Sequence, residues 1–221
     1  MKLKHFGLLA VLGLLSWSCA DDKGKFNNGM GEIKASFKSV YSVASAMSTE
    51  AESGEMEAMA PEMKDFSVQL RSGDGAYSES WTVAEFPTDK KFPAGPYEME
   101  LYYGSIDEEG FDKPYYYGSG KFTVEDAETV NPEIVATLGN SMVSLAYTDA
   151  FKQYFTSYSA KVSTAGGKTF DFAADDTRAV YVKPGKVTFQ LKLVKRNGVE
   201  LNIEPDGIEE AKPRTHYRVT F

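Results

Sequence analysis

Two rhythms of apolar and polar residues run along this chain. Residues 6–15 (FGLLAVLGLL) form an unbroken apolar run, and from residue 33 onward apolar side chains recur at every second position. Ile33, Ala35 and Phe37 open the alternation, Phe66, Val68 and Leu70 continue it, and Gly73-Asp74-Gly75 supplies a turn. A period of two puts one row of side chains on a buried face and the other in water, so these stretches predict half-buried strands. Further strands are predicted over 77–86, 98–103, 115–124 and 130–138, with a corner at 92–97 (FPAGPY) and a turn at 107–110 (DEEG). Short strands punctuated by Gly, Pro and Asp at close intervals are the mark of a β-sandwich.

The pattern restarts after Gly139-Asn140. Residues 142–147 read as a strand, and 149–158 as a short helix capped by Thr148 or Asp149, with Phe151, Phe155 and Tyr158 on one side at helical spacing. Strands follow over 159–164, 169–173, 179–182, 186–195 and 216–221, and Asn197-Gly198 is a hairpin turn. The expected fold is therefore all-β: two tandem immunoglobulin-like antiparallel β-sandwich units, 31–138 and 139–221, with one short helix in the second. Residues 44–63 break the rhythm, being acidic, rich in Ala and Met, and without β-branched residues apart from Thr49. They read as a long exposed loop with a helical turn at 55–60. Met56, Met59 and Met63 could share a helical face and offer thioethers to a soft metal; with no His or Cys beside them, gap-filling is the plainer role, and no metal site is expected.

Lys2 and Lys4 precede the apolar run, which is too short to span a bilayer and suits a signal peptide over 1–18. Ser16-Trp17-Ser18-Cys19 follows, and Cys19 is the only cysteine of the chain. A lone cysteine makes no internal disulfide. Its position after a small residue resembles a lipobox, which implies that Cys19 is the site of lipid attachment and the means of holding a membrane; ordinary cleavage after Ala20 is the alternative. Residues 19–30 are polar and glycine-rich and read as a flexible tether. The acidic pair Asp21-Asp22 resembles the surface-export signal of Bacteroidota-type lipoproteins, which implies an outer-membrane protein facing the exterior.

Several segments beyond the tether resemble an uncharacterised family of Bacteroidota-type surface lipoproteins, a domain of unknown function. They are the glycine-led first strand at 31–37, the corner at 93–97, the stretch FDKPYYYG at 111–118, the strand and aromatic helix at 141–158, and Lys183-Pro184-Gly185. The layout is also similar to fimbrillin-like proteins, lipoprotein precursors with two sandwiches that polymerise into surface fibres. The resemblance implies location and fold and brings no catalytic residues. The good strand pattern that ends at Phe221 would, if unpaired, be available to another subunit.

A formal charge of −8 and a pI near 4.9 set the chain against phosphate backbones, so no nucleic-acid partner is expected. Apart from His5 in the signal segment, His216 is the only histidine, which leaves no histidine triad or multi-histidine metal site. Gly120-Lys121 and Gly167-Lys168-Thr169 lack the earlier glycine of a phosphate loop and read as turns. The acids of 107–109 and 175–176 read as solvated loop residues. No cofactor and no enzymatic activity are expected. The tyrosine runs carry more. Neighbouring side chains in a strand face opposite ways, so Tyr102-Tyr103 and Tyr115-Tyr116-Tyr117 cannot all enter one core. Tyr103 and Tyr116 are the expected ligand contacts, suited to stacking on a glycan or docking another surface protein; packing between the two units is the competing role. The expected function is a non-enzymatic outer-surface lipoprotein in adhesion, assembly or recognition, the alternatives being a glycan-binding accessory protein of a polysaccharide-uptake system or a fimbrial subunit.

Overall fold

The computed structural model describes residues 29–47 and 56–221. The expected signal segment 1–18, Cys19 and nearly all of the tether lie outside the described residues. Strands dominate, as the alternation predicts. One six-stranded sheet runs in the order Ser36–Val40, Glu133–Leu138, Tyr116–Val124, Gly95–Tyr103, Ser67–Ser72, Ser78–Thr82. Its inner face presents Val68, Leu70, Met99, Leu101, Tyr116 and Ile134, each at most 1% exposed. A three-stranded sheet of Thr129–Val130, Met30–Ile33 and Lys91–Pro93 contributes Ile33 and Phe92 to the same core. Burying each such side chain stabilises the fold by about 1.5–3 kcal/mol before chain entropy is subtracted.

The second core lies between another six-stranded sheet and a five-stranded one. The former runs Met56–Glu57, Ser42–Met47, Thr215–Thr220, Ser141–Ala146, Val180–Val182, Gly110–Phe111. The latter runs Thr169–Phe172, Phe155–Thr164, Gly185–Lys195, Glu200–Ile203, with Ile208–Ala211 also pairing Gly185–Lys195. Val143, Leu145, Val180 and Val182 meet Val162, Val187, Phe189 and Leu191 there. Their chain neighbours Met142 and Tyr181 point the other way and belong to the first core. One sheet therefore serves both cores, a face to each, which is why Ser141–Ala146 is buried at five successive positions.

The structure corrects several expectations. Strand pairing crosses the division expected at 138/139, since Ser42–Met47, Met56–Glu57 and Gly110–Phe111 join the second sheet. The sheets are not uniformly antiparallel: Met30–Ile33 with Thr129–Val130, Ser36–Val40 with Glu133–Leu138, and Thr215–Thr220 with both Ser141–Ala146 and Ser42–Met47 are parallel. These partners lie far apart in the chain, as parallel pairing requires. The strand Ser42–Met47 takes in residues 44–47, where a loop is expected, because their Ser and Ala side chains give little apolar signal while their backbone pairs with Thr215–Thr220. The helix ends at Tyr154, capped by Thr148, whose side chain accepts from the Phe151 N–H at 3.2 Å. Phe155 and Tyr158 instead begin the strand Phe155–Thr164, and their rings still pack on Phe151. Gly120-Lys121 sits within a strand, not a turn. The terminal strand is interior to its sheet, so no free pairing edge is available there.

Candidate functional site

Each strand that sends one row of side chains into the first core sends the other row outward. Across the three central strands the register aligns Ser67, Tyr102 and Tyr117, then Gln69, Glu100 and Ser119, then Arg71, Glu98 and Lys121. Tyr115, two residues before Tyr117, projects on the same side, and the two rings stack at 6.3 Å between centroids with planes 22° apart. The Tyr115 N–H donates to Asn140 Oδ1 at 2.5 Å. A Cβ at Gly139 would lie 2.6 Å from the Tyr115 ring, so the absence of a side chain there lets the ring settle against the backbone. Tyr117 is 38% exposed, as is Val135 on the neighbouring strand.

Polar groups converge on these rings. The Tyr117 hydroxyl donates to Glu100 Oε1 at 3.3 Å, and Arg71 donates to Glu100 Oε2 at 3.2 Å while also reaching Gln69. Burial raises the Tyr115 hydroxyl above the usual phenol range, with Tyr117, Glu100 and Tyr102 adding to it, so that hydroxyl stays protonated at ordinary pH. At the far end of the same face a pocket of about 450 Å³ opens between Arg71, Pro96, Glu98 and Lys121. Four residues of strand separate Tyr102 from Glu98, roughly 13 Å. The result is a strip with flat aromatic faces at one end, a guanidinium and carboxylate at its middle, and a charged recess at the other. Such a strip can stack on apolar ring faces and exchange hydrogen bonds with hydroxyls.

The two tyrosines singled out from the sequence are not part of it. Tyr116 is fully buried; its hydroxyl donates to the Met59 carbonyl at 2.8 Å and its ring meets Tyr41 edge-on at 5.4 Å. Tyr103 faces inward and packs half-buried on Phe66 at 5.4 Å. Parity within each strand separates Tyr102, Tyr115 and Tyr117 from these two, but inside and outside are exchanged. Tyr41, Tyr116 and Tyr181 together hold the backbone of 59–61, which contains Met59, through hydrogen bonds of 2.9, 2.8 and 2.7 Å. Met59 is exposed and Met63 packs on the first core, so these two do not share a thioether face. No group of three or more His, Cys, Asp or Glu among the described residues is placed to hold a metal.

The acidic loops also differ from expectation. Asp107 pairs with Lys183 and Asp176 with Arg178, and each partner holds its carboxyl below the usual range. Glu109 is buried; it accepts from the Lys183 N–H at 2.7 Å and the Thr164 hydroxyl at 2.8 Å, joining the first half of the chain to two loops of the second. His216, 2% exposed, lies 2.8 Å through Nε2 from the Ser144 hydroxyl, a contact that 72 residues of separation hid from the sequence.

Residues 29–221 match the family model described as a domain of unknown function, DUF4493. No curated protein matches the chain. Among solved structures it is similar to a candidate cell adhesion protein from Bacteroides eggerthii, at 9% identity over 88% of this chain and 87% of that one, with a TM-score of 0.50. It is also similar to candidate polysaccharide-binding proteins from Bacteroides thetaiotaomicron (11% identity, 86% and 91% covered, TM-score 0.45). A candidate cell adhesion protein of the same organism stands at 8% identity, 86% and 92% covered, and a TM-score of 0.44. At these identities the likeness speaks to fold alone.

Proposed function

The chain belongs to the DUF4493 family, and from that premise we propose that it is a non-enzymatic surface lipoprotein, held to the outer membrane through Cys19, that recognises glycan chains on the outward face of its first six-stranded sheet. The observation that carries the reading is the row of Tyr115, Tyr117 and Tyr102 beside Glu100 and Arg71. An outward sheet face needs only polar residues to be soluble. Tyr115 and Tyr117, stacked on each other, and Tyr102 in register beside Tyr117 present apolar area that a ligand can cover, and the adjacent carboxylate and guanidinium supply directional contacts. Among the described residues no helix is long and apolar enough to cross a membrane, so attachment in this reading rests on the lipid.

Glycan-array screening followed by calorimetry tests it. Tyr117→Ala and Tyr102→Ala are expected to weaken binding about tenfold each, roughly 1.4 kcal/mol, without moving the unfolding midpoint. Tyr116→Ala is expected to behave in the opposite way, costing about 3–5 kcal/mol of stability through a core cavity. A protein that binds no glycan, or one whose binding survives loss of both Tyr102 and Tyr117, would defeat the reading.

A further inference from the structure

The sheet shared between the two cores is not covered along its whole length. On the face turned toward the first core, Val43, Met142 and Tyr181 are packed, but further along the same face the side chains become polar: Ser144, His216 and Arg218. A pocket of about 470 Å³ opens over them, walled by Lys152 from the short helix and by Asp175 and Thr177 from the loop that follows Thr169–Phe172. That volume suits a single ring-sized or smaller solute.

The charges around the pocket are unevenly matched. Asp176 is committed to Arg178 through two contacts of 3.0 and 2.8 Å. Lys152 has only a long, exposed contact of 4.0 Å with Asp149. Arg218 and Asp175 make no ion pair among the described residues. Beneath them Ser144 and His216 form a buried polar floor at 2.8 Å, and His216 Nδ1 has no hydrogen-bond partner among the described residues. A buried polar group left unpaired costs stability, so a strand that keeps Ser and His here, where Met142 and Val43 serve as packing one step away, retains them against the interest of the core.

We propose that this pocket binds a small hydroxylated carboxylate, with Arg218 as its anchor, at a site separate from the tyrosine strip. A planar guanidinium fork that meets no counter-ion among the described residues matches a carboxylate in two parallel contacts. Lys152 adds a second positive charge. Asp175 opposes a doubly charged phosphate, yet accepts readily from a hydroxyl. A sugar acid carries both groups, and so does a simple hydroxy acid.

Calorimetric titration of the purified full chain with glucuronate, glucose, glycerate and inorganic phosphate tests the assignment. Glucuronate should bind at least tenfold more tightly than glucose or phosphate. Arg218→Gln should weaken glucuronate at least tenfold, and Lys152→Gln, on an exposed position of the helix, should weaken it several-fold should the first variant fold poorly. Glycerate binding as tightly as glucuronate would support the site while identifying a hydroxy acid as the ligand source; glycerate failing would identify the sugar ring. The loss caused by Arg218→Gln should appear equally in a Tyr117→Ala background, which keeps this result distinct from that of the glycan-binding strip. Glucuronate binding no better than glucose, or indifferent to both Arg218→Gln and Lys152→Gln, overturns the proposal.

Discussion

Tyr115, Tyr116 and Tyr117 are chemically identical neighbours with different environments. The first and third stack on each other at the surface, and the second donates its hydroxyl within the core. Burial raises the Tyr116 hydroxyl well above the phenol range, so it remains a donor at any pH the fold survives. His216 is the residue whose titration falls within an accessible window. Burial, with the charge of Arg218 adding to it, lowers its pKa below the ordinary imidazole range. As pH falls below about 6.5 the unfolded chain takes up a proton that the folded chain refuses, so stability drops until the lower, folded value is passed. Thermal unfolding should therefore show a loss between neutral and mildly acidic pH that His216→Gln removes, since Gln retains a group for Ser144 and does not titrate. The carboxylates lowered by partners, Asp74, Asp107 and Asp176, contribute at more acidic pH, around and below the ordinary carboxylate range. An unchanged profile in His216→Gln would show that the imidazole does not govern the neutral-range loss.

At the scale of elements, the strand Thr215–Thr220 has a place that its position in the chain conceals. It is hydrogen-bonded on both sides, to Ser141–Ala146 and Ser42–Met47, and both pairings are parallel. A strand so enclosed offers no free edge for pairing with another chain. The contact between Glu109 and the loops at Thr164 and Lys183 is another joint between the two halves of the chain. Losing Glu109 leaves the Lys183 N–H and the Thr164 hydroxyl without their acceptor. Glu109→Ala should cost about 3 kcal/mol, measured by denaturant unfolding, while Glu109→Gln, which keeps the shape and one acceptor, should cost less than half of that. Equal losses in the two variants would mean that packing of the side chain, not its hydrogen bonds, matters at this position.

In the whole molecule, one sheet buries a face in each core, so the two halves share backbone as well as contact area and should not rotate as independent modules. The tyrosine strip lies on the outer face of the first six-stranded sheet, on strands paired with their neighbours, and in the proposed reading this lowers the entropy cost of binding a glycan there. Attachment is a property of this scale too. Cys19→Ala removes the only thiol, and the expected result is a shift of the protein from the membrane to the soluble fraction, with intact mass showing the loss of lipid. Undiminished membrane association of Cys19→Ala would sink the lipid-anchor reading.

The sequence alone determined the class of the fold, because period-two alternation and turn residues are local and need no partner to be read. It also determined that each tyrosine run must divide between two faces. Which side is the core, and hence that Tyr102, Tyr115 and Tyr117 face outward while Tyr103 and Tyr116 do not, depended on how the sheets pack. Parity distinguishes two faces without labelling them. Residues 42–47 found their strand only through Thr215–Thr220, since small side chains carry little intrinsic preference and a distant edge supplied the hydrogen bonds. The Ser144–His216 pair and the sharing of one sheet by two cores were likewise decided in three dimensions, where strands far apart in the chain become neighbours and register is set by the burial of whole faces.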